Sequence, residues 1–305
     1  MVGDFWQRVL ESEMAVPEGR PLPDLTAELV TMLGSTDPVE RDEIAFPVLA
    51  TWISEGVYDD LLVTFGDSIC TGLDVGLGES GTDTVFRRSF SALVLGVCIE
   101  RDNEQHLLPM DSVLSWADHS LTWLSREQDL RGWVPGKGWA HTIAHGADLM
   151  GALGQSRHLE AAHLRVLLEV VSERLVTPTP YQMVDEEDDR LALAALTILQ
   201  RNLIEPGQLD EWVESLTAGI DLAAVPTDDG KPGMTPATLN TSHFVRALHA
   251  HLAIGVAPPH HAVDFGRPPD CRADLLLALL RVIPRFTPWL YSSTPQQPHD
   301  PGRES

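Results

Sequence analysis

Apolar side chains along this chain return every three or four residues, and almost no segment alternates apolar with polar positions. That period predicts helices between Pro/Gly punctuation. The first, 4-DFWQRVLESEM-14, opens on an acid, 23-PDLTAELVTMLG-34 closes on glycine, and 37-DPVERDEIAFPVLATWISEG-56 begins Asp-Pro and ends on Gly. Pro47 has no amide hydrogen and its ring crowds the carbonyl four residues back, so the third helix should kink or split. Further helices are predicted at about 59–76, 83–102, 110–127, 138–153, 158–176, 186–203, 207–223, 237–255 and 271–290. Short polar turns between helices of this length favour antiparallel neighbours. The pairs recur at roughly 40 to 45 residues, the period of stacked HEAT-type repeats, with no repeated motif beneath it. The expected fold is all-α, about a dozen helices in antiparallel pairs, as a HEAT-like or α/α-toroid-like array. A single helical-repeat domain is expected over 1–292, with a weak boundary at 224-AVPTDDGKPGMTP-236 and a disordered tail at 293-STPQQPHDPGRES-305.

Composition narrows the partners more than the fold. The 305 residues, 43% of them hydrophobic, suffice for a sizeable core. Against 45 Asp and Glu stand 21 Lys and Arg, a formal charge of -24. Such a surface repels phosphate backbones and anionic lipid, so nucleic acid and membranes are poor partners. Cys70, Cys98 and Cys271 are odd in number and far apart, unlike a disulfide framework. The N-terminal MVGDFWQRVLESEM carries acids where a signal peptide is basic, and no apolar run reaches bilayer length, so the expected compartment is the cytoplasm.

Two motifs mislead. The run 76-GLGESG-81 matches G-x-G-x-x-G, but that fingerprint needs a strand before it and a helix opening within it, and here helical sequence precedes it. The tetrapeptide 66-GDSI-69 matches an esterase nucleophile block, yet lies in a helical stretch with no strand leading to a sharp turn.

The densest polar cluster is 136-GKGWAHTIAHGADLM-150. On a helix over 138–153, at about 100° per residue, His141, His145, Asp148 and Ala152 share one sector, with Trp139, Ile143, Gly146 and Met150 opposite. Histidines at i and i+4 are the spacing that offers two imidazoles to one zinc. The glutamate of H-E-x-x-H is missing, and Asp148 lies about 10.5 Å along the axis from His141. Alternatively Asp148 fixes the tautomer of His145 and raises its basicity, giving an acid–base pair. The plainest alternative is that these groups hydrogen-bond neighbouring loops. Just upstream, 129-DLRGWVPGKGW-139 sets Asp129, Arg131, Trp133, Lys137 and Trp139 around glycines, the ingredients of an anion or carbonyl pocket.

The stretches 87-RRSFSALVLG-96 and 129-DLRGWVPGKGWAHTIAHGADL-149 resemble an uncharacterised bacterial family, domain-of-unknown-function family 2785. The resemblance runs over about residues 40 to 290, with its blocks at Lys137–His141 and Ala144–Asp148. It implies an all-helical fold and carries no established activity.

The acidic run 185-DEEDDR-190 reads as a helix start, with Asp185 capping and Asp188 at N3. Glu187, Asp188 or Arg190 could instead reach the histidine face from a neighbouring helix. Arg88 could do likewise, though an exposed arginine is the simpler expectation. In 243-HFVRALHAHL-252, His249 and His251 point to different faces, and His260 and His261 fall in a Pro-rich loop. Two functions follow. One is a helical-repeat protein binding a small molecule or peptide in a groove lined by Arg88, Arg131, Trp133, Lys137, Trp139, Glu187 and Arg190 beside the histidines. The other is an enzyme, a metal-assisted hydrolase with zinc as the candidate metal or a cofactor-free acid–base catalyst, using His141, His145 and Asp148.

Overall fold

A computed structural model describes residues 2–218, 225–226, 232–257 and 267–291. Among these it is predominantly helical. The α-helices are α1 (Val2–Glu11), α2 (Leu22–Met32), α3 (Phe46–Ser54), α4 (Leu62–Cys70), α5 (Thr84–Gln105), α6 (Met110–Arg126) and α7 (Thr142–Gln155). They continue as α8 (Ala161–Val176), α9 (Glu187–Leu199), α10 (Pro206–Ala218), α11 (Pro236–Ile254), α12 (Arg272–Phe286) and the single turn α13 (Pro288–Tyr291). The expected split at Pro47 is present: a π-helical segment, Val39–Ala45, precedes α3, which takes Pro47 in its first turn. A widened turn there moves the carbonyl that the proline ring would otherwise meet.

The helices pack in two rows. In one, α5 lies against α7, α7 against α9 and α9 against α11; in the other, α4 meets α6, α6 meets α8, α8 meets α10 and α10 meets α12. Ser89 meets His145, Gly96 meets Leu149 and Asn103 reaches Ala152, so α5 and α7 run parallel. Asp148 meets Arg190 and Gln155 reaches Thr197, so α9 runs the same way. Small residues set the spacing of this row. A Cβ on Gly96 would lie 3.6 Å from the Leu149 Cα, and one on Gly151 3.7 Å from the Ala194 Cα. One apolar cluster runs from Trp6 to Phe286. The run 92-ALVLGVCI-99 is mostly buried, because α5 is covered by α3 and α4 as well as by α7.

The helix expected over 138–153 begins later. Residues Trp133–Val134 (β1) and Gly138–Trp139 (β2) form an antiparallel hairpin, with Trp133 opposite Trp139. Pro135 and Gly136 turn the chain: Gly136 has φ 75° and the Lys137 amide donates to the Val134 carbonyl at 3.0 Å. That is the Pro-Gly signature of a type II turn, a local signal stronger than helical periodicity here. A second short pair joins Val225–Pro226 to Pro232–Gly233. Of the helix expected over 207–223, Pro206–Ala218 is described and helical, and 219–223 lie outside the described residues. Much of the 224–236 boundary, His260, His261 and the 293–305 tail lie outside the described residues.

Candidate functional site

The histidine segment turns out to be a junction between hairpin and helix. His141 is the N-cap of α7 in the left-handed region (φ 48°, ψ 38°), so it is not on the helical stripe with His145. Its ring lies on Trp139, centroids 3.9 Å apart, and the two histidine rings stand 5.8 Å apart and near perpendicular. His141 Nε2 is buried without a hydrogen-bond partner. Burial, then the Arg190 charge, lowers the His141 pKa, with Glu187, Asp185 and Glu186 opposing.

His145 is buried and edge-on to Phe90 at 4.9 Å. Its Nδ1 lies 2.8 Å from Ser89 Oγ, and that hydroxyl donates its one hydrogen to the Ala140 carbonyl. The hydroxyl must therefore accept from His145, which fixes the neutral Nδ1–H tautomer. Burial, then the nearby Arg190 and His141, holds its pKa well below the usual imidazole value. The acid–base pair with Asp148 is thus corrected: Nδ1 of His145 is engaged by Ser89, and Asp148 accepts from Arg190 Nε at 3.0 Å and from its Nη2. Among the described residues no group of three or more His, Cys, Asp or Glu side chains stands together to hold a metal ion.

The cations of the upstream segment are also engaged. Arg131 chelates Asp129 through Nε (2.7 Å) and Nη2 (2.6 Å), and Lys137 pairs with Asp83 at 2.5 Å. Asp129 accepts the Gly81 amide as well, so the glycine-rich run docks this segment. Trp133 is exposed and Trp139 half-buried. Glu187 is fully buried, accepting from the Tyr181 hydroxyl (2.5 Å) and the Asp185 amide (2.8 Å). The capping box expected from Asp185 is not formed; Glu186 is the N-cap of α9, at φ 65°. Asp188 is half-buried, which raises its pKa.

Arg88 is not the exposed arginine anticipated. It is fully buried and grips Glu127 through Nε (2.5 Å) and Nη2 (2.9 Å), while Nη1 donates to Val75, Gly76 and Thr84. Glu127 also accepts from Trp123 and from the amides of Gln128 and Asp129. A buried pair so fully hydrogen-bonded is a strut between α5 and the end of α6. Arg41, unremarked in the sequence, is likewise buried: its guanidinium lies 4.1 Å from the Phe86 ring centroid and donates to the Lys137 carbonyl at 2.8 Å. It ties the hairpin turn to α5.

The open hollow lies farther along the same helices. A groove of about 240 Å³ runs between α5, α7 and α9, with Glu100, Asn103 and Glu104 on one wall and Arg190, Leu193 and Thr197 on the other. Ala147, Asp148, Gly151, Ala152 and Gln155 of α7 lie between, so Asp148 and Arg190 are the candidate residues it includes. Glu100 is exposed along one edge, yet protein crowds its carboxyl; that enclosure, with Asp148 and Glu104 nearby, pushes it up to about 7. Sequence reasoning missed the α5 wall, because Glu100 and Glu104 belong to no motif along the chain. The small residues after Asp148 were the visible signal.

A family model described as a protein of unknown function, DUF2785, matches residues 73–250, which takes in α5 to most of α11 and the whole groove. No curated protein and no solved structure matches the chain. By that match, over more than half its length, the chain belongs to the DUF2785 family.

Proposed function

We propose that this protein binds a small organic molecule in the groove between α5, α7 and α9, its two rows of helices acting as a HEAT-like repeat array. The observation that carries the reading is the groove itself, walled by three successive helices of one row. Its lining combines an apolar floor with a few placed polar groups, the usual make-up of a ligand site. The volume lies below the roughly 300 to 1,000 Å³ of drug-sized pockets, which favours a small ligand. The helices approach closely beneath the groove, where a Cβ on Gly151 would stand in ordinary contact with Ala194.

The binding surface first expected, around Trp133, Lys137, Trp139 and His141, has less support because its cations are already paired. Acid–base or metal-assisted chemistry on His141, His145 and Asp148 has less still, with His145 buried and Asp148 held by Arg190. Arg190 connects the two regions: it lines the groove and its charge reaches both histidines.

The test is thermal shift against a panel of small metabolites, comparing wild type with Gly151→Met, which puts a long side chain at a groove-lining glycine. At least one compound should raise the wild-type Tm and leave the variant unmoved. Compounds that stabilise both proteins equally, or none that stabilises wild type, would overturn the reading.

A further inference from the structure

The groove runs along the end of α5, from the middle of α7 to its end, and along α9 from Arg190 near its start to Thr197, and the three helices point the same way. Glu100, Asn103 and Glu104 come near the end of α5, Gly151 to Gln155 close α7, and Thr197 stands near the end of α9. Helix C-termini carry partial negative charge. Neither α5, α7 nor α9 has a basic residue in its last turn, although Arg201, which is not a groove residue, caps the Gly154 and Ser156 carbonyls.

Side chains add to this field. Asp148, Glu100 and Glu104 bring three carboxylates against one cation, Arg190, and both its Nε and Nη2 are given to Asp148. Glu100 and Glu104, one turn apart on α5, form no ion pair or side-chain hydrogen bond among the described residues. Asn103, on the same wall, donates Nδ2 to the Ala152 carbonyl at 2.9 Å, while its Oδ1 is buried and accepts nothing. An anion placed here would add to the repulsion, and a neutral ligand would leave it standing. A cation would relieve it and supply the donors that these acceptors lack.

We propose, resting on the groove as the binding site, that its ligand carries an alkylammonium or guanidinium group, seated against Glu100 and Glu104 with its alkyl portion along Gly151 and Ala194. The volume suits a free diamine or a single basic side chain of a peptide. The raised carboxyl of Glu100 gives the site a pH dependence: facing Asp148 from α7, Arg190 from α9 and Glu104 on its own helix, it is half-ionised at about 7 and carries its full charge only above that.

Calorimetric titration would use 1,5-diaminopentane and agmatine, with pentane-1,5-diol and glutarate as neutral and anionic counterparts, and a capped single-lysine peptide as the protein-borne source. The dications should bind wild type with Kd at or below ~0.1 mM at pH 8, and at least tenfold more weakly at pH 5.5. Glu100→Gln/Glu104→Gln, which removes like charges and should fold at least as well by Tm, should lose tenfold or more at pH 8. Binding by the peptide alone would keep the cation and assign it to a protein side chain. If glutarate or the diol binds as tightly as the diamine and Gly151→Met blocks it, the groove stands and the cation is wrong. If no cationic probe binds, this proposal falls, and the groove reading is then judged on the metabolite panel alone.

Discussion

At the scale of single residues, His145 shows how packing decides what a side chain can do. An imidazole on a polar stripe invites a catalytic reading, but here the ring is enclosed, edge-on to Phe90, and its Nδ1 proton is taken by Ser89. Neutrality is part of its fit. A histidine whose folded pKa is lowered contributes stability that is complete above its unfolded value of about 6.5 and is lost as pH falls below it. His141, lowered by the same burial, adds to the effect. The histidines' contribution to stability, measured by urea unfolding, should therefore decline from pH 7 to pH 5.5, while Glu100, whose raised carboxyl takes up its proton in the folded chain first, works the other way in the same window. In His145→Phe that decline should flatten; an unchanged slope would show that the acid sensitivity arises elsewhere.

At the scale of elements, glycine has opposite meanings on two helices. On α4, a Cβ at Gly66 would lie 2.1 Å from a ring carbon of Trp116, a fully buried indole, so Gly66→Ala should cost about 1–3 kcal/mol by overpacking. On α7, the nearest atom to a Cβ at Gly151 is 3.7 Å away, ordinary contact, and alanine holds a helix better than glycine. Gly151→Ala should gain up to about 1 kcal/mol in chemical denaturation. Equal losses at both positions would mean that α7 and α9 are closer than described. The same comparison separates legible from illegible in the sequence. The 3.6-residue period located nearly every helix, and Pro47 marked the break before α3. The start of α7 was misplaced because helical spacing of His141 and His145 outweighed Pro135-Gly136, a turn signal plain in the same segment.

For the whole molecule, the excess of carboxylates dominates. A formal charge of -24 means self-repulsion in the compact state, and added salt screens it within a Debye length of about 10 Å at 0.1 M. Raising sodium chloride from 10 to 300 mM should increase Tm; a falling Tm would show that ion pairs such as Arg190–Asp148 outweigh the repulsion. Among the described residues no helix is long and apolar enough to cross a membrane.

Periodicity, punctuation and charge are local properties, and they were enough to determine a predominantly helical chain with an excess of acidic residues and to point to the family. Which charges are buried and which line a hollow was decided only in three dimensions. Arg88 and Glu127 stand 39 residues apart and Asp148 and Arg190 42 apart, and no pattern along the chain ties such partners together. Docking of the end of α6 on α5 made the first pair a strut, and contact between α5, α7 and α9 left Glu100 beside the second, in a groove, with no ion pair of its own among the described residues. A side chain's chemistry is set by its neighbours in space, and for helices stacked in rows those neighbours come from the next pair along.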